Sequence, residues 1–151
     1  MVKEEDLEVM LDIKVNAYIS GDYISDEKLK LDMYKRIAEI KSEEDVSDVA
    51  DELIDRFGDI PAETEALMSV ALIKAKCQTA GIRRVAPDGN KILFEFVPEQ
   101  NSLNPGVLLR LSEKYGMKLI INMSKRPFIK MPVEKPRELL TEIIHFLSVF
   151  A

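Results

Sequence analysis

The spacing of hydrophobic residues divides the chain into five predicted helices and five predicted strands. Apolar side chains that recur every three or four residues form the buried stripe of an amphipathic helix. Such stripes predict helices over residues 26–40, 42–58, 61–81, 104–116 and 136–150. Short apolar runs, the first of them partly alternating, predict strands over residues 7–18, 82–86, 92–97, 117–123 and 128–131.

Residues that favour helix ends lie at the expected places in the first half of the chain. Ser25 or Asp26 is suited to cap the first helix, and Ser42 to cap the second. Gly58 is placed to end the second helix, and Pro61 is suited to the first turn of the third. The three helices should therefore be separated by short connections.

Two turn sequences shape the second half of the chain. Residues 87–90 and 124–127 each join two predicted strands, and hairpins of this kind pair strands in an antiparallel way. The pattern predicts an α+β (mixed α/β) fold, a small and largely antiparallel sheet with helices packed against it. We expect a single domain over residues 7–151, preceded by a charged arm of residues 1–6.

The second predicted helix carries an acidic stripe beside its hydrophobic one. The hydrophobic stripe comprises Val46, Val49, Ala50, Leu53, Ile54 and Phe57. Asp48, Glu52 and Asp55 recur at the same spacing on another face, where like charges repel by roughly a few tenths of a kcal/mol per pair. An isolated helix gains nothing from that arrangement. The face is therefore either solvated or used by something outside the helix, such as a basic protein surface.

Most of the acidity of the chain belongs to this helix. The net charge is −6, from 21 Lys+Arg and 27 Asp+Glu. Residues 43–59 contain eight acids and one arginine, a balance of −7, so the remainder carries +1. Such a patch repels phosphates and attracts basic protein surfaces.

Composition narrows the class of protein further. No apolar run approaches the roughly 20 residues of a membrane span, and the acidic N-terminus is unlike a signal peptide, so we predict a soluble, cytoplasmic protein with no membrane partner. A single cysteine and a single histidine cannot form a disulfide or a Cys/His zinc site within the chain. The six glycines form no phosphate-binding loop. We therefore expect neither a cofactor nor catalysis from this chain alone.

Two alternative functions remain open at this stage. A small carboxylate enzyme would need Glu52 or Asp55 in a cleft with a perturbed pKa. A nucleic-acid-binding module would use the basic second hairpin, with Lys125 and Arg126 as its first candidate contacts. Further residues that would support nucleic-acid binding are Arg83, Arg84, Phe128 and Lys130.

Four motifs occur in order along the first half of the chain. They are Ala17-Tyr18-Ile19 with Asp22-Tyr23-Ile24, Tyr34-Lys35-Arg36-Ile37-Ala38, Asp51-Glu52-Leu53-Ile54-Asp55-Arg56-Phe57-Gly58 with Pro61, and Gly81-Ile82-Arg83. Together they resemble the C-terminal domain of the bacterial transcription-repair coupling factor (Mfd). The resemblance runs from about residue 7 to residue 150, and beyond Val85 it rests on pattern and hydrophobicity more than on fixed residues.

The resemblance implies a regulatory module at the end of an ATP-dependent DNA translocase that displaces stalled RNA polymerase and recruits nucleotide-excision repair. In that family the C-terminal domain docks on the UvrB-homology module of its own polypeptide and covers the surface that recruits UvrA. Acids of the helix that ends in the Arg-Phe-Gly motif face arginines of that module. Carried over by position, the implied docking residues are Glu52 and Asp55, with Asp48 on the same stripe.

Overall fold

The computed structural model describes residues 7–98 and 102–150. Its internal packing divides the chain into two compact units, one of residues 14–75 and one that combines the segments on either side. We call them the helical unit and the sheet unit. The charged arm predicted for residues 1–6 lies outside the described residues. The expectation of a single domain stays a prediction.

The helical unit begins with a loop and continues into three helices. They are α1 (Glu27–Ala38), α2 (Glu43–Phe57) and α3 (Ala62–Ala80), whose last residues belong to the sheet unit. The Asp26 side chain caps α1 by accepting from the Leu29 N–H at 3.0 Å. Ser42 Oγ caps α2 by accepting from the Asp45 N–H at 3.2 Å. These contacts confirm the predicted helix starts.

The predicted strand over residues 7–18 is wrong for most of its length. Only β1 (Met10–Leu11) is a strand, and the chain beyond Asp12 leaves the sheet. The Tyr18 N–H donates instead to the Glu63 carbonyl in the first turn of α3, at 3.1 Å. The backbone N–H of Tyr18 therefore has its acceptor in the first turn of a helix and not in a neighbouring strand. For this reason the partial alternation of apolar residues does not produce a longer strand.

The core of the helical unit is formed by the predicted stripes with one exception. Met33 and Ile37 of α1 and Val49 and Leu53 of α2 are buried. Ile54, which the sequence pattern assigned to the same stripe, is 48% exposed. Adjacent residues of a helix point about 100° apart, so the core that covers Leu53 leaves Ile54 on the outside.

Among its described residues, the sheet unit contains the five-stranded sheet and two further α-helices. Its strands are β1, β2 (Ile82–Asp88), β3 (Lys91–Phe96), β4 (Ile120–Asn122) and β5 (Phe128–Pro132), arranged in the order β1-β2-β3-β5-β4. Only β1 and β2 are parallel, so the predicted, largely antiparallel α+β architecture is confirmed. The helices are α4 (Pro105–Tyr115) and α5 (Leu139–Leu147).

One face of the sheet is packed against α5. Ile92, Phe94 and Phe96 alternate with half-exposed residues along β3 and point inward. The rings of Phe94 and Phe146 are stacked with centroids 4.1 Å apart. Aromatic pairs bury a large area and contribute beyond it through their ring geometry, so this pair anchors the sheet to the helix.

Several element boundaries differ from the sequence pattern. The predicted helix over residues 136–150 is α-helical only in α5, with 3₁₀ turns at Pro136–Glu138 and Ser148–Phe150. Two further differences have local reasons. β2 continues through Pro87 to Asp88, so the turn before β3 has only two residues. A proline is tolerated in this strand because β1 pairs with β2 only as far as Val85, which leaves the edge of β2 free at Pro87. β4 starts at Ile120 because Gly116, with a φ of 61°, ends α4 and the chain first makes a short 3₁₀ turn.

Candidate interaction surfaces

The first candidate surface is the side of α2 opposite its buried stripe. We call Asp48, Asp51, Ile54 and Asp55 the acidic face. At about 100° per residue, the three aspartates point within an arc of roughly 60°. All three are exposed, and within the described residues none of their side chains makes a hydrogen bond or an ion pair. Ile54 lies beside them as an exposed apolar side chain.

Asp55 is placed unfavourably for the helix that carries it. It lies in the last turn of α2, where the helix dipole disfavours a negative charge by about 0.3–1 kcal/mol. Asp51 and Asp48 repel it from one and two turns away. Because neither effect is offset by a partner in the described structure, Asp55 contributes nothing to the stability of its own helix.

Glu52 has a different environment from the aspartates. Its carboxylate accepts from Arg36 of α1 at 2.9 Å and from Arg56, one turn along α2, at 3.0 Å. The Glu52 side chain is 31% exposed, whereas the two arginines are more open at 47% and 43%. Glu52 therefore bridges α1 and α2, and it lies at the edge of the acidic face.

The arginine partners of Glu52 were missed by sequence reasoning. The four-residue spacing to Arg56 was a usable signal, because carboxylate and arginine at that distance meet on a helix surface. Arg36 is 16 residues away on another helix, and no local pattern connects it with Glu52. The guanidinium of Arg56 also lies 5.1 Å from the centroid of the Phe57 ring.

The end of α2 is fixed by an aromatic residue and a glycine. Tyr23 Oη lies 2.9 Å from the Gly58 carbonyl oxygen and 3.3 Å from that of Leu53, so its hydroxyl donates to the turn that follows the helix. The Tyr23 and Phe57 rings meet edge to face at 6.0 Å. Gly58 has a φ of 88°, which side-chain-bearing residues rarely adopt. This arrangement orients the last turn, where Ile54 and Asp55 lie.

The second candidate surface is a groove on the side of the sheet that faces away from α5. We call it the sheet groove; its volume is about 570 Å³. Arg83 and Arg126 belong to its walls, and Phe128 and Lys130 of β5 contribute to its lining. The structure thus brings together four of the residues that the sequence offered for nucleic-acid contact. Lys125 is exposed in the neighbouring turn but does not line the groove.

Two cations near the groove are already neutralised. Arg84 pairs with Asp12 at 2.9 Å and with Glu95 at 3.2 Å, and these hydrogen bonds raise the pKa of Arg84. Lys130 pairs with Asp88 at 2.7 Å, which lowers the pKa of that carboxyl. Arg83, Lys125 and Arg126 have no carboxylate partner among the described residues. The groove therefore keeps unpaired positive charge only at its arginine walls.

The geometry does not favour the carboxylate-enzyme alternative. Glu52 is held by two arginines, and Asp55 is exposed to solvent. General acid–base chemistry uses carboxyl groups held in a desolvated cleft, unlike this pair, of which one is ion-paired and the other is exposed. No group of three or more potential metal ligands occurs among residues 7–98 and 102–150. Cys77 is buried, and burial raises the pKa of its thiol to about 12.

Comparison with known proteins identifies the family. A family model described as the TRCF domain matches residues 13–106. The chain is 33% identical over 122 residues to the transcription-repair-coupling factor of Bacillus subtilis (strain 168), which covers 80% of this chain and 10% of that protein. The chain belongs to the TRCF domain family. The family resemblance that the four motifs predicted is confirmed.

Further relatives and a solved structure agree with this family. The transcription-repair-coupling factor of Escherichia coli (strain K12) is 30% identical over 143 residues, covering 88% of this chain and 12% of that protein. The crystal structure of a C-terminal domain of transcription-repair coupling factor superposes with a TM-score of 0.82 at 25% identity, covering 95% of this chain and 92% of that one. The chain spans about a tenth of the length of the curated relatives it matches.

The described part of the chain offers no membrane-spanning element. None of its helices is long and apolar enough to cross a bilayer.

Proposed function

We propose that this chain is a non-catalytic regulatory domain of a transcription-repair coupling DNA translocase. In this proposal it docks through the acidic face on the UvrB-homology module of the same polypeptide and masks the surface that recruits UvrA. The docked state is autoinhibited, and release allows nucleotide-excision repair to be recruited. RNA polymerase and DNA are contacted by other parts of the parent, and the whole protein acts in the cytoplasm without a cofactor bound to this domain.

The observation that carries the proposal is the set of exposed, unpartnered aspartates on α2. Three like charges on one helix face cost a little stability, and no described residue offsets that cost. A basic protein surface would turn the same charges into charge-assisted hydrogen bonds, which arginine forms with two parallel donors. Family membership supports a protein partner, because the relatives are transcription-repair-coupling factors, whose name joins transcription to repair.

Ile54 supports a protein partner independently of charge. Interface energy concentrates in a few apolar or aromatic anchors that lose water, surrounded by a polar rim. Ile54 is 48% exposed and has Asp51 and Asp55 next to it on the helix. A solvated, purely electrostatic face has no need of an exposed isoleucine at its edge.

The contacts of Glu52 refine the proposed roles of the acids. Because Arg36 and Arg56 already hold its carboxylate, Glu52 meets a partner's arginine only by sharing or exchanging those contacts. Asp55 offers both of its oxygens without such exchange. We therefore assign the primary contact to Asp55, a supporting contact to Asp48, and an edge contact to Glu52, which also ties α1 to α2.

The test uses the full-length parent and capture of UvrA on beads. Asp48→Ala combined with Asp55→Ala should raise UvrA capture, because truncating one partner of a desolvated charge pair costs roughly 2–5 kcal/mol of docking energy. Glu52→Ala combined with Asp55→Ala should do the same. Asp32→Ala, which removes an exposed acid of α1 in the same unit, is the matched control and should leave capture unchanged.

Circular dichroism of the isolated 151-residue chain carrying each pair of substitutions should show the same helix content as the wild-type chain. Unchanged UvrA capture by both folded double variants would refute the docking role of the acidic face.

A further inference from the structure

The sheet groove has features that the proposed docking does not use. It belongs to the sheet unit, whereas the acidic face belongs to the helical unit. Phe128 lies half-buried at the start of β5, on the uncovered side of the sheet, opposite Glu95 of β3 and Asn122 of β4. Arg83 and Arg126, which come from two different segments of the chain, line the groove together with this aromatic.

We propose that the sheet groove binds a short stretch of single-stranded nucleic acid. One base stacks on the ring of Phe128, and the phosphates beside it lie against the guanidinium groups of Arg83 and Arg126. Arginines without a carboxylate partner supply the charge complementarity, and stacking tolerates any base because every base has a flat π face. The inference is independent of the docking proposal, since it concerns other residues in the other unit.

The turn that carries Arg126 is held in place by hydrogen bonds to its backbone. The Asn122 side chain accepts from the Ser124 N–H at 2.8 Å, and Ser124 Oγ accepts from the Arg126 N–H at 3.3 Å. The Phe96 N–H donates to the Pro127 carbonyl at 2.9 Å, which joins the turn to the end of β3. Arg126 therefore starts from an ordered backbone, and less conformational entropy is lost when it meets a phosphate.

The charge pairing around the groove favours a single strand over a duplex. Arg84 and Lys130 are engaged by Glu95, Asp12 and Asp88, so few cations remain to neutralise phosphates. A duplex hides its base faces and presents a dense row of phosphates, which a site with two free arginines matches poorly. A single strand with one base turned outward offers that base to Phe128 and the two phosphates beside it to the two arginines.

An acidic peptide is the main alternative occupant. Its carboxylates would pair with Arg83 and Arg126, but it would use the exposed part of Phe128 only as general apolar surface. Glu95 also lines the groove, and its carboxylate, which is shared with Arg84, can accept a hydrogen bond from a base N–H such as N3–H of thymine, whereas an ionised carboxylate has no proton to donate. The aromatic beside an acceptor carboxylate therefore favours nucleic acid.

The test measures fluorescence anisotropy of a labelled 12-nucleotide oligo(dT), with the 151-residue chain as titrant, over a series of salt concentrations. Binding should be strongest at low salt, with log K falling against log salt at a slope of about −1.4 to −2, since each neutralised phosphate contributes about −0.7 in a single strand. A duplex of the same length should bind at least tenfold more weakly. Equal or tighter duplex binding would overturn the proposal.

Variants separate stacking from charge. Phe128→Leu should weaken binding at least fivefold without changing the salt slope, because base–aromatic stacking is lost while the cations stay. Phe128→Tyr keeps the ring and should bind within twofold of wild type. Arg126→Ala should weaken binding and make the slope shallower by about 0.7. Arg137→Ala, an exposed arginine outside the groove, is the matched control and should bind like wild type.

Three results would contradict the inference. An equal loss of affinity in Phe128→Leu and Phe128→Tyr would exclude a stacking contact. An Arg126→Ala variant with an unchanged salt slope would exclude a phosphate contact. Displacement of the oligonucleotide by a glutamate peptide of equal charge, as effectively as by unlabelled oligo(dT), would assign the groove to an acidic peptide instead.

Discussion

The acidic face and the sheet groove carry charge in opposite ways. On α2 the exposed aspartates repel one another and have no partner among the described residues. Around the groove, Arg84 and Lys130 are paired with carboxylates from other segments of the sheet unit, and among the described residues only the arginines of its walls are left without a carboxylate partner. One surface is thus a uniform patch that only an external partner can neutralise. The other is a network in which most charges are paired and a small excess of positive charge remains at the two arginines.

The difference shows which charges can be explained by the stability of the fold and which require a binding partner to explain them. Paired surface charges stabilise a fold by about 0–1 kcal/mol each, so the network of the sheet is compatible with a structural role. Unpaired like charges cost roughly a few tenths of a kcal/mol per pair, so the acidic face has no structural role to explain it. Function is the stronger explanation for the acidic face, and structure for most of the sheet charges.

The largest expected effect separates the buried side of α2 from its acidic face. Leu53 is fully buried, so Leu53→Ala should lower the free energy of unfolding by about 2–5 kcal/mol through lost transfer energy and a cavity. Asp55→Ala, two residues later, should leave that free energy unchanged or raise it by about 0.3 kcal/mol, because it removes an unfavourable charge from the helix end. Urea denaturation of both variants measures the difference. Comparable losses in both would show that the acidic face is structural.

A pH effect of intermediate size belongs to the sheet unit. Burial raises the pKa of Cys77 to about 12 from its ordinary value of 9.0, so the unfolded state releases the thiol proton first. Stability from this group is therefore complete below about pH 9 and falls by about 1.4 kcal/mol per pH unit as the pH rises from there toward 12. Urea denaturation at pH 8 and pH 10 should show this loss in wild type. Cys77→Ala should lack that part of the pH dependence, and an equal slope in both proteins would contradict the assignment.

The thiol also tests the expectation of a single domain. Because Cys77 lies in the part of α3 that belongs to the sheet unit, its labelling by a thiol reagent in urea reports the opening of that unit. Far-ultraviolet circular dichroism is dominated by helices of both units. Coincident transitions are expected for one cooperative domain. Labelling and loss of helix signal at separate urea concentrations would show that the two units unfold independently.

The smallest effect distinguishes Glu52 from its acidic neighbours. Glu52→Ala removes two solvent-exposed ion pairs, to Arg36 and to Arg56, and should cost about 0.5–1 kcal/mol. Because exposed pairs are screened by salt, the cost should shrink when the sodium chloride concentration is raised to about 1 M. Asp48→Ala, which breaks no contact within the described residues, should show neither effect. If both variants had the same free energy of unfolding and the same salt dependence, Glu52 would belong with the acids that have no partner.

Local signals predicted most of the elements, and contacts between distant segments account for the errors. Ser42 and Gly58 bound α2 as expected, because caps depend on a few neighbouring residues. Ile54 was misplaced because an apolar pair in a helix does not say which of its two members the core covers. The partial alternation of residues 7–18 looked like a strand, yet only two residues of β2 pair with that segment.

The candidate surfaces were predictable to different degrees for the same reason. The acidic stripe is a property of one helix, so Asp48 and Asp55 could be found from spacing alone, although Asp51 was not assigned to the predicted stripe. The two arginine contacts of Glu52 were not found, and that with Arg36 depends on the packing of α1 against α2. The groove joins Arg83 to Phe128 across β3, and only the strand order brings them together. The sequence indicated Arg83, Arg126, Phe128 and Lys130 as candidate contacts but did not show that they share one site.

The most direct measurement of the central claim is binding in trans between this chain and the rest of its parent with the domain deleted. Isothermal titration calorimetry at two salt concentrations should give a dissociation constant that weakens with salt. Asp48→Ala combined with Asp55→Ala should weaken it by at least 30-fold, given the roughly 2–5 kcal/mol cost of truncating one side of a desolvated charge pair. Asp32→Ala should bind like wild type. A salt-insensitive constant, equal for wild type and the folded double variant, would contradict docking through the acidic face.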